Sequence, residues 1–146
     1  MLILKAVIDT SVMVSVAFAK KGVAKKLKNL IADDAFTMVT SKAIIKELHE
    51  VLHYPHIVQR FRPSNEYIDE FVGMIIEHSE ITKGAYTVKG IAEDPDDDMF
   101  IACALEGKAD YIVSRDPHLR NIKHFQKIQI IDASTFIGKV KGKKTR

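Results

Sequence analysis

Hydrophobic residues along this chain form four short runs that are rich in β-branched and aromatic residues, as buried strands are. The runs cover residues 3–8, 36–39, 111–113 and 128–131. Longer segments with the spacing of amphipathic helices lie at residues 23–32, 42–53, 65–78, 96–106 and 133–140. Strands that alternate with helices indicate a parallel sheet covered on both faces. The pattern predicts an α/β fold and leaves residues 82–92 as a loop or an edge strand.

The length and the single cysteine suit one intracellular domain. At 146 residues the chain can bury a core without disulfides or a structural metal, and no linker or repeat divides it. Cys103 lies in an apolar run and has no partner for an intramolecular disulfide, which favours a core position in a reducing, cytoplasmic setting. Lys5 and Asp9 interrupt the apolar N-terminal run, so we expect neither a signal peptide nor a membrane span.

Positive charge is concentrated at the C-terminus. The net charge is +3, and residues 139–146 carry five cations and no acid, which leaves −2 on residues 1–138. We therefore expect a single domain over residues 1–138, a basic tail over residues 139–146, and a core that does not depend on the tail. The tail is somewhat more typical of a solvated end than of a specific nucleic-acid contact. A second cationic cluster precedes or occupies the first predicted helix: Lys20, Lys21, Lys25, Lys26 and Lys28.

Four acidic residues stand beside the predicted elements in positions that could converge. Asp9 and Asp116 follow predicted strands, Asp97 opens a predicted helix, and Glu47 lies within another. Parallel α/β sheets bind ligands at the carboxyl ends of their strands, and carboxylates brought together need a hard cation to neutralise them. The four acids therefore suggest a Mg²⁺ or Mn²⁺ site.

Each acid also has a local interpretation. Asp9 could cap the following turn, and Asp116, before Pro117, could start the next helix. Glu47 lies at the edge of its helix's apolar face, and its spacing alone is slightly more typical of a solvent-facing glutamate near Lys46. Taken singly, the local roles explain these residues about as well as a metal site does.

Asp97 has the more informative position among the acids at residues 93–98. At about 100° per residue, it points the same way as the apolar face of its predicted helix, whereas Asp98 lies on the flank. That apolar face consists of Phe100, Ile101, Ala104 and Leu105. A carboxylate at the top of a buried face needs a partner or a cation. The alternative, a favourable interaction of these acids with the helix dipole, would explain acids that face outward but not one on the inner face.

A second metal motif overlaps the helix that carries Glu47. His49-Glu50-Val51-Leu52-His53 matches the H-E-x-x-H pattern of zinc metalloproteases. The two histidines point away from the apolar stripe of that helix, where a site within a cleft would be hard to build. The protease is therefore a minor alternative.

Four motifs occur in order over nearly the whole chain: residues 7–12, Ser41 with Glu47, residues 94–104 and residues 109–119. Together they resemble the PIN-domain ribonucleases, most closely the prokaryotic branch that contains toxins of toxin–antitoxin pairs. The resemblance implies a three-layer α/β sandwich with a central parallel sheet of about five strands. It also implies a metal-dependent endoribonuclease that hydrolyses RNA phosphodiester bonds, with an antitoxin protein and a second copy of the chain as possible partners.

Carried over by motif, the resemblance assigns the site residues. Asp9, Asp97 and Asp116 would bind Mg²⁺ or Mn²⁺, and Glu47 would complete the catalytic acids. The neighbouring polar residues would support the metal site or bind substrate: Thr10, Ser11, Ser114 and Arg115.

Two positions depart from the family's pattern. Ser11 stands where asparagine is frequent, and Arg115 stands where a small residue, often glycine, is frequent. An arginine there could contact a substrate phosphate or pair with an acid of the site. The non-enzymatic alternative is a PIN-like module that binds RNA or docks a partner while its acids bind metal weakly.

Overall fold

A six-stranded sheet lies at the centre of the computed structural model, which describes residues 3–92 and 94–144. The strands are β1 (Lys5–Ile8), β2 (Thr37–Ser41), β3 (Ser79–Thr82), β4 (Tyr111–Val113), β5 (His124–Phe125) and β6 (Ile128–Ile131). The helices are α1 (Thr10–Ala17), α2 (Gly22–Ala32), α3 (Lys42–Leu52), α4 (Pro55–Phe61), α5 (Asn65–Glu77), α6 (Asp98–Glu106), α7 (Pro117–Arg120) and α8 (Ala133–Lys144). A 3₁₀ turn over Pro95–Asp97 leads into α6.

The strand order places the carboxyl ends of β1 and β4 side by side. The order is β3-β2-β1-β4-β6-β5, and only β5 runs antiparallel to its neighbour. Strands β2 and β3 are added in turn on one side of β1, and β4 then pairs with the other side of β1. Ile8 pairs with Val113, the last residue of β4. The reversal of strand order, where such sheets bind ligands, therefore lies at the residues that follow these two strands.

Alternating residues of β1 face two different hydrophobic layers. Ala6 and Ile8 contact a core cluster that includes side chains of α1, α2, α3, α5 and α8. Val7 contacts the opposite cluster, which is built largely on α6 and completed by Leu119 of α7. The three-layer α/β prediction is confirmed.

The sheet has two strands beyond the four predicted runs, and three helices lie outside the predicted helical segments: α1, α4 and the four-residue α7. The additional strands are β3, in the sequence after α5, and β5, which is only two residues long. Helix α1 gave no amphipathic signal because its residues are mostly apolar and five of its eight are buried. Helix α4 is short and begins at Pro55, just after the end of the helix predicted at residues 42–53.

The C-terminal helix extends farther than predicted. Helix α8 continues to Lys144, so the expected domain boundary at residue 138 lies within it. Val140 is 2 % exposed and belongs to the same core cluster as Phe136. The expectation that the core does not depend on residues after 138 is therefore wrong at Val140, because the basic segment and the core share one helix. Residues 145 and 146 lie outside the described residues.

The cysteine lies in the core as predicted. Cys103 is 3 % exposed, and burial raises the pKa of its thiol to about 11, so it stays protonated and unreactive at neutral pH. Within residues 3–92 and 94–144, no helix is long and apolar enough to cross a membrane.

Candidate functional site

Asp9 is a buried carboxylate held at the junction of β1 and α1. Its side chain is 3 % exposed. One oxygen, Oδ1, accepts hydrogen bonds from the Val12 amide at 3.0 Å and the Ser11 hydroxyl at 3.1 Å, and the other accepts one from the Ser114 hydroxyl. Asp9 thus caps α1, the local role that the sequence suggested, and also lies at the switch point of the sheet.

Ser114 links the ends of β1 and β4. It is fully buried, donates to Asp9 Oδ2 and accepts a hydrogen bond from the Asp116 amide at 3.0 Å. Asp116 in turn accepts from the His118 amide at 2.9 Å and so caps α7. Both strand-end aspartates therefore have fixed backbones and lie within electrostatic range of each other, since the charge of Asp116 raises the pKa of Asp9.

Asp97 interacts with the two strand-end aspartates from the 3₁₀ turn before α6. Burial raises its pKa to about 7, and a hydrogen bond with Asp116 and the charges of Asp116, Asp94 and Asp9 add to the rise. In the absence of a cation, Asp97 therefore keeps its proton to a higher pH than an ordinary aspartate does. Within the described part of the chain, Asp97 Oδ2 is a buried oxygen without a hydrogen-bond partner.

Asp98 has a different role from its neighbour. It is 6 % exposed and accepts hydrogen bonds from the backbone amides of Gly90, at 2.9 Å, and Ala92, at 2.7 Å. Asp98 is the first residue of α6, and the loop before the acidic segment buries it. Asp98 holds the loop before the acidic segment, and Asp97 faces the other acids.

Glu47 faces the site from the side of α3, so it is not the solvent-facing glutamate of the local interpretation. It is partly buried, and that burial raises its pKa. The nearby Thr10 hydroxyl lowers the pKa, and the charges of Asp96 and Asp9 raise it. The Thr10 hydroxyl makes no hydrogen bond of normal geometry within the described chain, so we treat it as a polar neighbour of Glu47.

Sequence reasoning missed Asp96 as a member of the acid group. Its charge acts on Glu47, whereas Asp94 acts on Asp97 and caps the 3₁₀ turn through the Asp96 amide at 3.0 Å. The available signal was the density of acids at residues 93–98, of which Glu93 lies outside the described residues.

Arg115 lies at the rim of the site. It is exposed, and its Nη1 donates a hydrogen bond to Ser15 Oγ of α1 at 2.8 Å. Among the described residues it forms no ion pair with the site acids, so its guanidinium is directed along α1. This geometry leaves Arg115 available to approach a phosphate at the edge of the acid group.

The donor set has the chemistry of a Mg²⁺ or Mn²⁺ site without yet having its geometry. Carboxylate oxygens are the ligands that these ions prefer, and the unpartnered Asp97 oxygen and the raised pKa values are what clustered acids without a cation produce. However, no three histidine, cysteine or acidic side chains in residues 3–92 and 94–144 already stand close enough to hold one ion. The residues fit a cation if Asp97 releases its proton and the carboxylates of Asp97 and Asp116 turn toward the ion.

The histidines of the H-E-x-x-H motif lie outside this site. His49 and His53 are exposed on α3; His49 Nε2 lies 3.5 Å from Asp69 Oδ1, and His53 Nδ1 donates to the His49 carbonyl at 2.8 Å. Their rings pack against each other with centroids 4.6 Å apart. The motif's glutamate, Glu50, faces solvent near Lys46, so the arrangement gives the protease alternative no cleft.

The raised pKa of Asp97 gives the metal-free protein a characteristic pH dependence. Its pKa rises from 3.8 to about 7 on folding, so between these values the folded state binds more protons than the unfolded chain, and the free energy of unfolding falls as pH rises. Asp9 and Glu47 shift in the same direction. We therefore expect urea denaturation in EDTA to show stability declining from about pH 4 to about pH 7, and a smaller decline in Asp97→Asn. Equal pH slopes for the two proteins would contradict this placement of Asp97.

A sequence model of the PIN domain matches residues 5–118. The match spans all four acids and both strands of the switch point. No curated protein sequence matches the chain.

Proposed function

Since the chain belongs to the PIN-domain family, whose members are generally nucleases that act on RNA, we propose that it is a Mg²⁺- or Mn²⁺-dependent endoribonuclease. The observation that carries the proposal is the electrostatic coupling of Asp9, Asp97 and Asp116 at the switch point of the sheet, with Glu47 coupled to Asp9. Carboxylates held at this proximity are unfavourable without a cation.

Each acid would have a distinct part in holding a cation. Asp9 is fixed by three hydrogen bonds, so it would supply an oxygen with little reorganisation. Asp97 already has a buried oxygen without a hydrogen-bond partner among the described residues, and Asp116 would supply a further oxygen. Glu47 would bind directly or through water. A divalent cation bound here would lower the pKa of a coordinated water and neutralise charge on the phosphoryl group.

Cationic residues around the acids would attract the RNA backbone. Arg115 lies at the rim, and the lysine cluster opens α2, the helix that packs against α1. Their charge would offset the repulsion between an acidic site and a polyanion. Thr10, Ser11 and Ser114 surround Asp9 and would orient it or bind a substrate oxygen.

A cleavage assay tests the proposal directly. Purified protein is incubated with a mixture of single-stranded and structured RNAs in Mg²⁺, in Mn²⁺ and in EDTA. We expect cleavage with either ion, none in EDTA, and recovery when the ion is restored. Cleavage that persists in EDTA would contradict metal dependence, and the absence of cleavage in all conditions would contradict a nuclease.

The basic end of α8 should contribute to RNA binding through its charge. Because Val140 is part of the core, truncation after Gly138 would also damage the fold, and truncation after Val140 is the appropriate test. It removes Lys141, Lys143, Lys144 and Arg146. The slope of log affinity against log salt should become shallower by about 0.7 for each phosphate that these cations neutralise in the full-length protein. Equal slopes for full-length and truncated proteins would identify the segment as a solvated end.

We keep the toxin of a toxin–antitoxin pair as the narrower hypothesis. Its support is the likeness of the motifs at residues 7–12, 94–104 and 109–119 to that branch. Induced expression in a bacterial host should then arrest growth, Asp9→Asn should relieve the arrest, and an antitoxin would be the partner that co-purifies. Normal growth with abundant wild-type protein would contradict the hypothesis. A homodimer also remains a prediction.

One observation favours a non-catalytic alternative. The described acids do not already form a three-ligand cluster, which suits a module that binds RNA but holds metal weakly. This alternative predicts RNA binding that is equal in Mn²⁺ and EDTA, together with intact RNA after prolonged incubation.

A further inference from the structure

A groove lined by aromatic and cationic residues lies where α1 ends, away from the acids. Its volume is about 460 Å³, and α4 and the start of α5 form its other wall. The lining residues are Phe18, Ala19, Lys20, Arg60, Phe61, Arg62, Pro63, Ser64 and Tyr67. Of these residues, the activity proposed above uses only Lys20, as one member of the lysine cluster.

Three aromatic rings from three parts of the chain form a stack in this groove. The rings of Phe18 and Phe61 are nearly parallel, with centroids 4.2 Å apart and 3° between their planes. Tyr67 stacks on Phe18 with a centroid distance of 6.1 Å. The Arg60 guanidinium lies 5.1 Å from the centre of the Phe61 ring. Rings and a guanidinium in this order resemble the surfaces on which nucleobases stack.

The stack is both fixed and accessible. The Tyr67 hydroxyl donates a hydrogen bond to the Ala17 carbonyl at the end of α1, which holds this ring in place before any ligand binds. Phe61 is 38 % exposed and Tyr67 is 37 % exposed. A rigid exposed ring binds a flat ligand with little loss of conformational entropy.

The charge around the rings selects the ligand. Lys20, Arg60 and Arg62 line the groove, and none of the described residues that line it is acidic. Lys28 extends the cationic border, with its Nζ 3.5 Å from the Tyr67 hydroxyl. An apolar peptide would find cations without partners here, whereas a polyanion with flat rings would satisfy both features of the surface.

We propose that this groove is a binding subsite for single-stranded RNA, in which a nucleobase displaces the Arg60 guanidinium from the face of Phe61 and stacks there. The displaced Arg60, with Lys20 and Arg62, then contacts the adjacent phosphates. The inference rests on the proposed function, because the ligand is a distant part of the same RNA. Helix α1 connects the two sites, since Asp9 caps its first turn and Phe18 caps its last. Eight helical residues span about 12 Å, so a short single-stranded segment could reach both ends.

Binding of fluorescently labelled RNA tests the subsite. Single-stranded RNA of about 12 nucleotides, a length within the range of single-strand binding sites, is titrated in EDTA so that binding is measured apart from cleavage. Phe61→Ala should weaken binding about tenfold. Phe61→Leu keeps apolar packing against Phe18 but lacks a ring face, so it should weaken binding similarly. Phe61→Trp keeps a ring face and should bind RNA as tightly as the wild type. Tyr54→Ala is the matched control, because Tyr54 is an exposed aromatic outside the groove and should leave affinity unchanged.

The outcomes separate this inference from the proposed function. If wild-type protein binds and cleaves RNA but Phe61→Leu binds equally well, the subsite is overturned and the nuclease stands. If the wild type binds no RNA in EDTA but cleaves RNA with Mn²⁺, the subsite alone is overturned; if it neither binds nor cleaves RNA, both are overturned. Unchanged RNA affinity with a change of oligomeric state in Phe61→Leu would overturn the subsite and assign the face to a second copy of the chain.

Discussion

Replacing Asp9 with asparagine should abolish RNA cleavage while leaving the fold intact. Asp9 lies at the switch point, and its charge acts on both Asp97 and Glu47, so it is the acid that a shared cation would need most. Loss of one preorganised charged group at a reacting centre lowers rates by about 100- to 1000-fold, and we expect the upper part of that range. The measurement is single-turnover cleavage in Mn²⁺.

The same substitution should be mild for stability. Asparagine caps helices about as well as aspartate, so the Val12 amide keeps its partner, and the substitution removes a buried charge whose pKa is raised by burial. Asp33→Asn at the end of α2 is the matched control and should keep full activity. An Asp9→Asn protein that melts like the wild type yet retains more than about a tenth of its activity would contradict the assigned role.

Substitution by asparagine should have opposite effects on stability at the adjacent positions 97 and 98. Asp98→Asn weakens hydrogen bonds to the Gly90 and Ala92 amides, because an amide NH₂ cannot accept, and leaving a buried donor unpaired costs about 2 kcal/mol. The melting temperature should fall by about 5 °C. Asp97→Asn removes a repelling charge instead, so its stability should equal or exceed that of the wild type at neutral pH.

Activity should show the reverse order. Asp97→Asn should lose cleavage by about 100-fold or more, whereas Asp98→Asn, assayed well below its melting temperature, should stay within about tenfold of the wild type. The two measurements on each variant, thermal unfolding and cleavage, therefore give a crossed pattern. If Asp98→Asn were the stable but inactive variant, the roles assigned to the two residues would be exchanged.

The sequence was sufficient for the class of fold because the strands are short apolar runs and the main helices are amphipathic. It also placed Asp9 and Asp116 at the ends of predicted strands, since Asp9 directly follows one apolar run and Asp116 comes three residues after another. Their proximity depends on β4 lying beside β1, which no local pattern states; the family resemblance supplied it.

The sequence did not predict the features that depend on backbone geometry or on contacts between residues far apart in the chain. The burial of Asp98 depends on the loop at Gly90 and Ala92, whose contact with α6 helical spacing cannot anticipate. The sequence could not decide whether Glu47 faces the site or solvent. The helix that lies beside it, α1 with Thr10, has no amphipathic period and was not predicted. The ring stack joins Phe18, Phe61 and Tyr67, residues far apart in sequence, and only the tertiary structure reveals it.

The most direct test of the central claim is the location of Mn²⁺ by anomalous scattering in crystals soaked with that ion. The claim is that the acids at the carboxyl edge of β1 and β4 form a divalent-cation site. We predict an anomalous peak within coordination distance of carboxylate oxygens of Asp9 and of Asp97 or Asp116, absent in crystals of Asp9→Asn. Crystals of active protein with no peak at this edge, or with Mn²⁺ bound only elsewhere, would contradict the claim.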